Sequence, residues 1–278
     1  MTENSLFCCP LCGEPLSMEK SRLFCPNGHS FDRARQGYTH LLPPNRMHSK
    51  EPGDTREMVQ ARREFLESGA YDLFAQRLCE LAAEALSGLS SPFLLDAGCG
   101  EGYYTGKLAD FLQDSNISAR IAGFDISKFA VKAAAGKYKG IQFAVASAFA
   151  VPAADASVDC LTNVFAPIVP GECARVVKPG GWMILAVPGP RHLYGLKELL
   201  YEAPYENETR DTQYPGFVFL RRETVEGNLH LTDARQIQNL FAMTPYYWKT
   251  PESGSQRLAQ ADSLDTEIRF DFLLYQRK

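Results

Sequence analysis

Side chains of the kind that bind zinc are concentrated near the start of the sequence. Cys9 and Cys12 are separated by two residues, and Cys25 and His29 by three. Thiolates and an imidazole at these spacings favour a tetrahedral Zn²⁺ ion, and four protein ligands leave no coordination position for a substrate. We therefore predict a structural metal centre. Cys8 is an alternative ligand, although the C-P-x-C spelling favours Cys9, and a redox C-x-x-C pair is the alternative chemistry.

An acidic residue followed by closely spaced glycines is the second chemical feature. An apolar run leads into Asp96, Gly98, Gly100 and Gly102, and residues 103–112 then carry apolar side chains at helical spacing. This pattern predicts a buried strand, a tight turn and a helix whose free N–H groups favour a carboxylate or a phosphate. A nucleotide-like cofactor is the expected ligand, although a turn between a strand and a helix often needs glycine for steric reasons alone.

A second acidic residue, Asp125, ends the next predicted strand, where a carboxylate is able to hold both ribose hydroxyls of an adenosine cofactor. The spelling Asp-x-Gly-x-Gly-x-Gly at 96–102 resembles the loop of class I methyltransferases more than the G-x-G-x-x-G of dehydrogenases. A strand at 158–165, and a helix end, turn and strand at 174–187, agree with that fold. We predict an α/β, class I (Rossmann-like) methyltransferase domain with S-adenosylmethionine as its cofactor. An α/β fold of another function is the alternative.

Composition limits the class of protein. The chain has 278 residues, 45% of them hydrophobic, and a formal net charge of −4, which argues against a uniformly basic surface for nucleic acid. A run of about 18 apolar residues and an export signal are both lacking, so we expect a cytoplasmic protein without membrane contact. In that compartment the clustered cysteines indicate a metal rather than disulfides. Small core positions are expected for the scattered cysteines, Cys79, Cys99, Cys160 and Cys173.

Three segments are expected along the chain: a zinc-binding module at 1–36, a basic connector with helices at 37–90, and the cofactor domain at 91–278. The stretch from 31 to 50 is basic and aromatic, which suits contact with an RNA backbone and unstacked bases. A solvated connector with ordinary charges is the alternative. The residues concerned are Arg33, Arg35, Tyr38, His40, Arg46, His48 and Lys50.

Helix and strand signals fill in these segments. Asp54 or Thr55 is expected to cap a helix that ends near Gly69, and an amphipathic helix is expected over 72–86. The stripe of this second helix that should face the core consists of Leu73, Phe74, Leu78, Leu81, Ala82 and Ala85. Further along, the patterns predict a third strand at 142–147, a capped helix at 232–241 and a late antiparallel strand at 267–275, whereas 224–231 alternates poorly.

Several stretches match one family in order and combination. Besides the metal ligands and the glycine loop, they are 52–54, 60–66, 100–105, 188–193 and 243–245. Over nearly the whole chain the sequence resembles the bacterial 23S rRNA guanine-N1 methyltransferases. The resemblance implies that a homodimer methylates N1 of a guanosine in a stem-loop of 23S rRNA. It also implies cofactor contacts at Tyr71, at the turn Gly100-Glu101 and at His192. The alternatives are ordinary packing for Tyr71 and a loop histidine without a role.

Three aromatic or amide side chains follow predicted strands. Phe149, after the third strand, is placed either to line the adenine slot or simply to pack. Asn163 and Phe165 follow the fourth strand, where related nitrogen methyltransferases place groups that contact the base. We predict catalytic roles for both, with Phe165 stacking on a flipped guanine. Asn163 departs from the stronger Asn-Pro-Pro-aromatic pattern of those enzymes.

Two other classes of function share some of these features. A methyltransferase that acts on a small metabolite would have the same cofactor loop but little use for a zinc module and a basic stretch. A non-catalytic RNA- or protein-binding module would not require Asp96, the glycines and Asp125. Because the zinc module precedes the basic stretch and carries no cofactor signature, we expect it to help hold RNA.

Overall fold

The computed structural model describes residues 3–47, 49, 51–209 and 212–278. Of the predicted basic stretch, His48, Lys50 and the side chain of Arg46 lie outside the described residues. The N-terminal residues form a small antiparallel sheet in the order β1-β2-β3-β4. Its strands are β1 (Glu3–Cys8), β2 (Pro15–Met18), β3 (Arg22–Phe24) and β4 (Ser30–Asp32). We call these residues, 3–32, the ribbon.

In the described residues a second sheet contains eight strands in the order β11-β12-β10-β9-β6-β7-β8-β5. The strands are β5 (Thr39–His40), β6 (Phe93–Ala97), β7 (Arg120–Asp125), β8 (Gln142–Val145), β9 (Val158–Val164), β10 (Val177–Pro188), β11 (Phe217–Leu231) and β12 (Leu264–Arg277). Strands β5 to β10 are mutually parallel. Strand β12 is antiparallel to β10, and β11 is antiparallel to β12. The order reverses between β6 and β9, which is the place where open parallel sheets bind ligands.

Helices cover both faces of the large sheet. They are α1 (Arg56–Glu67), α2 (Asp72–Leu86), α3 (Tyr103–Asp114), α4 (Lys128–Lys137), α5 (Pro170–Val176), α6 (Tyr194–Leu200), α7 (Ala234–Ala242) and α8 (Glu252–Ala259). Side chains of β6 alternate between two cores. Leu94 packs with Phe74 and Leu78 of α2, whereas Phe93 and Leu95 share the opposite core with residues of the ribbon. This arrangement confirms the predicted α/β class I fold.

The ribbon is attached to the large sheet by hydrogen bonds as well as by packing. The backbone N–H of Cys8 donates to Pro152 O over 2.9 Å. Ser5 Oγ and the backbone N–H of Leu6 both donate to Gln142 Oε1, over 3.0 and 2.9 Å. Because Gln142 begins β8, the ribbon and the edge of the large sheet are mechanically joined.

The segment after the ribbon joins the large sheet. Tyr38, Leu41 and Leu42 are buried, and Thr39–His40 pairs in parallel with β8. The buried Tyr38 ring is therefore not available to an unstacked base, and this part of the stretch belongs to the large sheet rather than to a solvated connector. A two-residue strand gives too short a pattern to be recognised from alternation alone.

Three local predictions need correction or refinement. Thr55 caps α1, since its Oγ1 accepts the Met58 N–H over 3.3 Å, and Asp54 instead pairs with Arg62. Leu73 is 56% exposed, so it lies outside the core-facing stripe of α2. Residues 224–231, whose alternation is poor, belong to the long strand β11, which pairs with β12 along its length.

The later elements follow the predicted order. Helix α7 begins at Ala234 rather than 232, because the Asp233 side chain accepts the Arg235 N–H at its start. The late strand β12 is antiparallel, as predicted, to both of its neighbours. No helix in the described part of the chain has the length and apolar character needed to cross a lipid bilayer.

Candidate functional site

Four ligand atoms converge at one end of the ribbon. The sulfur or nitrogen atoms of Cys9, Cys12, Cys25 and His29 all lie within 4.8 Å of one another. His29 Nδ1 is 3.5 Å from Cys9 Sγ and 3.4 Å from Cys25 Sγ. Three sulfurs and one imidazole nitrogen at these separations fit a tetrahedral Zn²⁺ ion. Cys8, the alternative ligand, is buried outside this cluster.

A large cleft opens at the carboxyl ends of the parallel strands. Its volume is about 860 Å³, enough for a cofactor and one base. The predicted residues that line it are Tyr71, Asp96, Gly98, Gly100, Glu101, Asp125, Phe149, Asn163, Phe165 and His192. The fold thus brings all of the predicted cofactor-binding and catalytic residues into one cleft, although the first and the last, Tyr71 and His192, are about 120 positions apart in sequence.

Asp96 is a buried carboxylate at the end of β6. It accepts hydrogen bonds from Thr105 Oγ1 over 2.5 Å and from Thr162 Oγ1 over 3.0 Å. Burial raises the pKa of the Asp96 carboxyl to about 6, and the nearby Asp125 charge acts in the same direction. A nearby positive charge stabilises the ionised form of a buried carboxylate. The position of Asp96 therefore favours a positively charged ligand.

Asp125 fixes the glycine turn from the neighbouring strand. Its Oδ2 accepts the Gly100 N–H over 3.0 Å, and its Oδ1 accepts the Ser127 N–H over 2.8 Å. Burial raises the pKa of the Asp125 carboxyl. Glu101, by contrast, directs its carboxylate toward Arg63 at 3.6 Å. The side chain of Glu101 is therefore occupied by an ion pair.

The end of β9 and the loop that follows it carry the two predicted catalytic residues. Asn163 Nδ2 donates to Ala97 O over 3.0 Å and approaches Pro167 O at 3.5 Å, so the amide holds the loop. Phe165 has a positive φ of 54° and remains 44% exposed. A non-glycine residue in the left-handed region is uncommon, and backbone strain of this kind clusters at binding and active sites.

Aromatic rings form the wall behind Phe165. The His192 ring lies 6.0 Å from Phe165 in a stacked orientation and 4.7 Å from Phe270. Its Nδ1 accepts the Arg269 N–H over 3.3 Å, and burial lowers the pKa of His192 to about 3. The ring is consequently neutral, with its proton on Nε2. Tyr71 lies 6.2 Å from His192, and its buried hydroxyl has no hydrogen-bond partner among the described residues.

One arginine that sequence analysis missed closes the cleft from the α1 side. Arg62 pairs with Asp54 and donates from Nη2 to Met243 O over 3.2 Å. Gly53, with φ of +82°, packs directly against Ile126 and Ser127 at the end of β7. Segments 52–54 and 243–245 match the family, but nothing in their spacing indicates that they meet.

Lys197 is a second missed residue, and it is fully buried. Its Nζ donates to Tyr205 O and to Asn207 Oδ1, both over 2.8 Å, and lies 4.4 Å from the Tyr205 ring centre. Asn207 in turn donates from Nδ2 to Gly189 O over 2.8 Å. Lys197 therefore ties residues 201–209 to the loop that carries His192.

Replacing Lys197 by methionine is expected to lower the free energy of unfolding by about 1–3 kcal/mol, because two partly buried acceptors lose their charged donor. Urea denaturation measures the change. The exposed Lys20→Met is the control, with an expected change within about 0.5 kcal/mol. A Lys197→Met protein as stable as the parent, with residues 201–209 equally resistant to proteases, would contradict this role.

Comparisons with known proteins agree with the site. A family model described as the N-terminal zinc ribbon of RlmA matches residues 7–50, and a methyltransferase domain model matches residues 95–185. A 23S rRNA (guanine(748)-N(1))-methyltransferase of Streptomyces fradiae is 32% identical over 91% of this chain and 89% of its own length. A 23S rRNA (guanine-N(1)-)-methyltransferase of Micromonospora griseorubida is 34% identical, over 87% and 86% respectively.

Solved structures agree at the level of the fold. A type II methyltransferase from Anaeromyxobacter dehalogenans, 18% identical, aligns over 72% of this chain and 95% of its own with a TM-score of 0.51. The ligand cluster, the cofactor cleft and the full-length relatives lead to one conclusion. The chain belongs to the family of 23S rRNA (guanine-N1)-methyltransferases, with S-adenosylmethionine as cofactor and a structural zinc in its ribbon.

Proposed function

We propose that this chain transfers the methyl group of S-adenosylmethionine to N1 of one guanosine in a stem-loop of 23S rRNA. The observation that carries the proposal is a single cleft in which buried carboxylates lie beside a half-exposed aromatic ring. The carboxylates suit a cationic adenosine cofactor, and the ring suits a base turned out of its stem.

Cofactor binding is assigned to the carboxyl ends of β6 and β7. The Asp125 carboxylate would accept hydrogen bonds from the ribose hydroxyls, and Asp96 would face the positive charges of the methionine moiety. The buried hydroxyl of Tyr71, unpartnered among the described residues, would donate or accept a hydrogen bond at the ligand. The exposed Phe149 ring would cover the adenine.

S-adenosylmethionine, when bound, supplies a methyl group on a sulfonium, which needs no covalent nucleophile from the protein. The chain has to align the guanine N1 with that methyl group and keep it there. We assign this to Phe165, whose ring would stack on the guanine, with Asn163 positioning the loop through Ala97 O. His192 carries its proton on Nε2, so it acts as a hydrogen-bond donor and not as the base that removes the N1 proton.

Binding of S-adenosylmethionine is expected to weaken roughly tenfold as the pH falls from about 7 to 5. Burial raises the pKa of Asp96 to about 6, so the cleft loses a negative charge as the pH falls through that value. The folded carboxyl also binds its proton more tightly than the unfolded chain does. The free energy of unfolding is therefore expected to decrease as the pH rises from about 4 to 6. Isothermal titration calorimetry measures the affinity.

Two controls separate this effect on binding from unfolding of the protein at low pH. Asp96→Asn removes the titrating group, so its weaker binding should vary less with pH. S-adenosylhomocysteine lacks the sulfonium charge, and its affinity should also change less. An equally steep pH dependence in Asp96→Asn would assign the titration to another group.

We also propose that the ribbon and the residues after it hold the RNA, and that two copies act as a homodimer. Arg35 is exposed beside the ribbon, and the edge strand β11 exposes Val218, Phe219 and Leu220 in succession. Charge reversal at Arg33 and Arg35 should weaken RNA binding and reduce its salt dependence. Sedimentation analysis tests the dimer, and a monomer at assay concentration would refute it.

The reaction itself is tested with labelled S-adenosylmethionine and unmodified 23S rRNA. Mass spectrometry and reverse-transcription stops then map the modified base. A single N1-methylguanosine within a stem-loop is the expected product. If zinc-loaded protein binds the cofactor but labels no RNA, the RNA assignment fails and a small metabolite becomes the substrate to seek.

A further inference from the structure

Two strongly exposed aromatic side chains border the mouth of the cofactor cleft. Phe149 is 79% exposed and Trp248 is 67% exposed, and both belong to the lining of the cleft. Aromatic rings of this size contribute most when they are covered. Exposure at a site edge therefore indicates a surface that a ligand covers.

The Trp248 ring is held in place by a chain of aromatic contacts. It packs perpendicular to Tyr247 at 5.0 Å, and Tyr247 lies 5.5 Å from the buried Phe241. Tyr247 and Trp248 belong to the short turn Pro245–Trp248, and Phe241 belongs to α7. Arg62, which donates to Met243 O, fixes the start of that turn. The exposed indole is thus packed, through Tyr247, against a buried residue of α7.

Phe149, the ring assigned to the adenine, lines the same cleft. Its backbone N–H donates to Ser147 Oγ over 3.2 Å, and Ser147 forms an isolated antiparallel β-bridge with Ala150. The half-exposed Phe165 ring lies between these segments in sequence and lines the same cleft. With Phe149 assigned to the cofactor, Trp248 is the outer ring that remains for the nucleotides next to the base assigned to Phe165.

We propose that Trp248 stacks on an unpaired nucleotide next to the target guanosine. This inference rests on the proposed function, because a guanosine turned into the cleft leaves its neighbours unstacked at the mouth. Aromatic side chains stack on any base, which suits flanking positions. Lys249 is exposed and, among the described residues, has no carboxylate at ion-pair distance. It supplies a positive charge for the adjoining phosphate.

Tryptophan fluorescence tests the stacking directly. The chain contains two tryptophans, and Trp182 pairs with Cys160 and Gln276, six positions before the cleft end of β10 at Pro188. Trp182→Phe therefore leaves Trp248 as the only indole. Titration with an unmodified 23S rRNA transcript should quench its emission. A perfectly paired RNA duplex at equal nucleotide concentration should quench it much less.

Affinity for the same transcript supplies a second readout. Trp248→Ala should weaken RNA binding about tenfold, and Trp248→Phe should retain affinity within about threefold, because a ring remains to stack. Leu89→Ala is the control, since Leu89 is exposed in the loop before β6, at the opposite edge of the sheet. Calorimetry with S-adenosylmethionine confirms that each variant is folded.

Three outcomes are decisive. Absence of quenching together with unchanged RNA affinity overturns the proposal. So does a Trp248→Ala protein whose mass in sedimentation changes while its RNA affinity does not, because the ring would then be covered by a second copy. Quenching by the transcript without methyl transfer would support the stacking surface and refute the proposed reaction, so the two failures are distinguishable.

Discussion

Replacing Cys25 by serine is expected to abolish zinc binding and unfold the ribbon. Cys25 is buried, and its Sγ lies 3.7 Å from that of Cys12 and 3.4 Å from His29 Nδ1. The four ribbon strands are six, four, three and three residues long. So small a unit buries too little surface to fold alone, whereas a structural zinc contributes about 10–16 kcal/mol. Zinc content should fall from one ion per chain to nearly none.

The loss should extend into the large sheet, because the ribbon is attached to it. Ser5 and Leu6 donate to the side chain of Gln142 at the start of β8, and Phe7 belongs to the core beneath Phe93 and Leu95. Hydrogen exchange should therefore accelerate throughout residues 3–32 and, to a smaller extent, at 142–145. The cofactor turn belongs to β6 and β7, so cofactor binding should survive.

Cys8→Ser is the matched control for this experiment. Cys8 adjoins the ligand Cys9 and is buried, yet it is not part of the ligand cluster. We expect this variant to retain one zinc ion per chain and near-normal protection from exchange. Loss of zinc from Cys8→Ser, with retention in Cys25→Ser, would show that the ligand set is wrong.

The parts of this protein that sequence analysis predicts well are those in which one short segment determines its own structure. The Cys9-x-x-Cys12 turn and the Asp96 to Gly102 loop are local: the residues that need each other are within seven positions. The β6–turn–α3 unit therefore lies where the pattern places it, with β6 ending at Ala97 and α3 beginning at Tyr103. The position of Asp125 at the end of β7 is predicted by the same alternation of strands and helices.

What the sequence does not predict depends on contacts between distant segments. In β11, Gly227 occupies one of the inward-facing positions and interrupts the alternation of apolar residues, and the register of the strand comes from pairing with β12. The contact of Arg62 with Met243 O joins residues 181 positions apart. Lys197 is buried because Tyr205 and Asn207 return over it. None of these partners is indicated by the spacing of the residues themselves.

Replacing Gly98 by alanine is expected to reduce affinity for S-adenosylmethionine at least about 100-fold. Gly98 has φ of +82°, a conformation that L side chains rarely adopt, and a Cβ there would overlap the Cβ of Ala166. Ala166 directly follows Phe165 in the loop after β9. The substitution would therefore displace the cofactor turn and the loop that carries the ring assigned to the guanine. Calorimetry and steady-state methyl transfer measure the two effects.

A second substitution separates the overlap from the backbone strain. Ala166→Gly in the Gly98→Ala background removes the methyl group that the new Cβ would overlap, so it should restore part of the affinity for the cofactor. The free-energy cost of a positive φ at residue 98 remains. Gly136→Ala is the matched control, because no described atom lies within 4 Å of a Cβ at that position in α4. It should leave cofactor binding intact and raise the free energy of unfolding by about 0.5–1 kcal/mol. If Gly98→Ala binds the cofactor as well as Gly136→Ala does, the turn does not hold the cofactor and the assignment of the cleft fails.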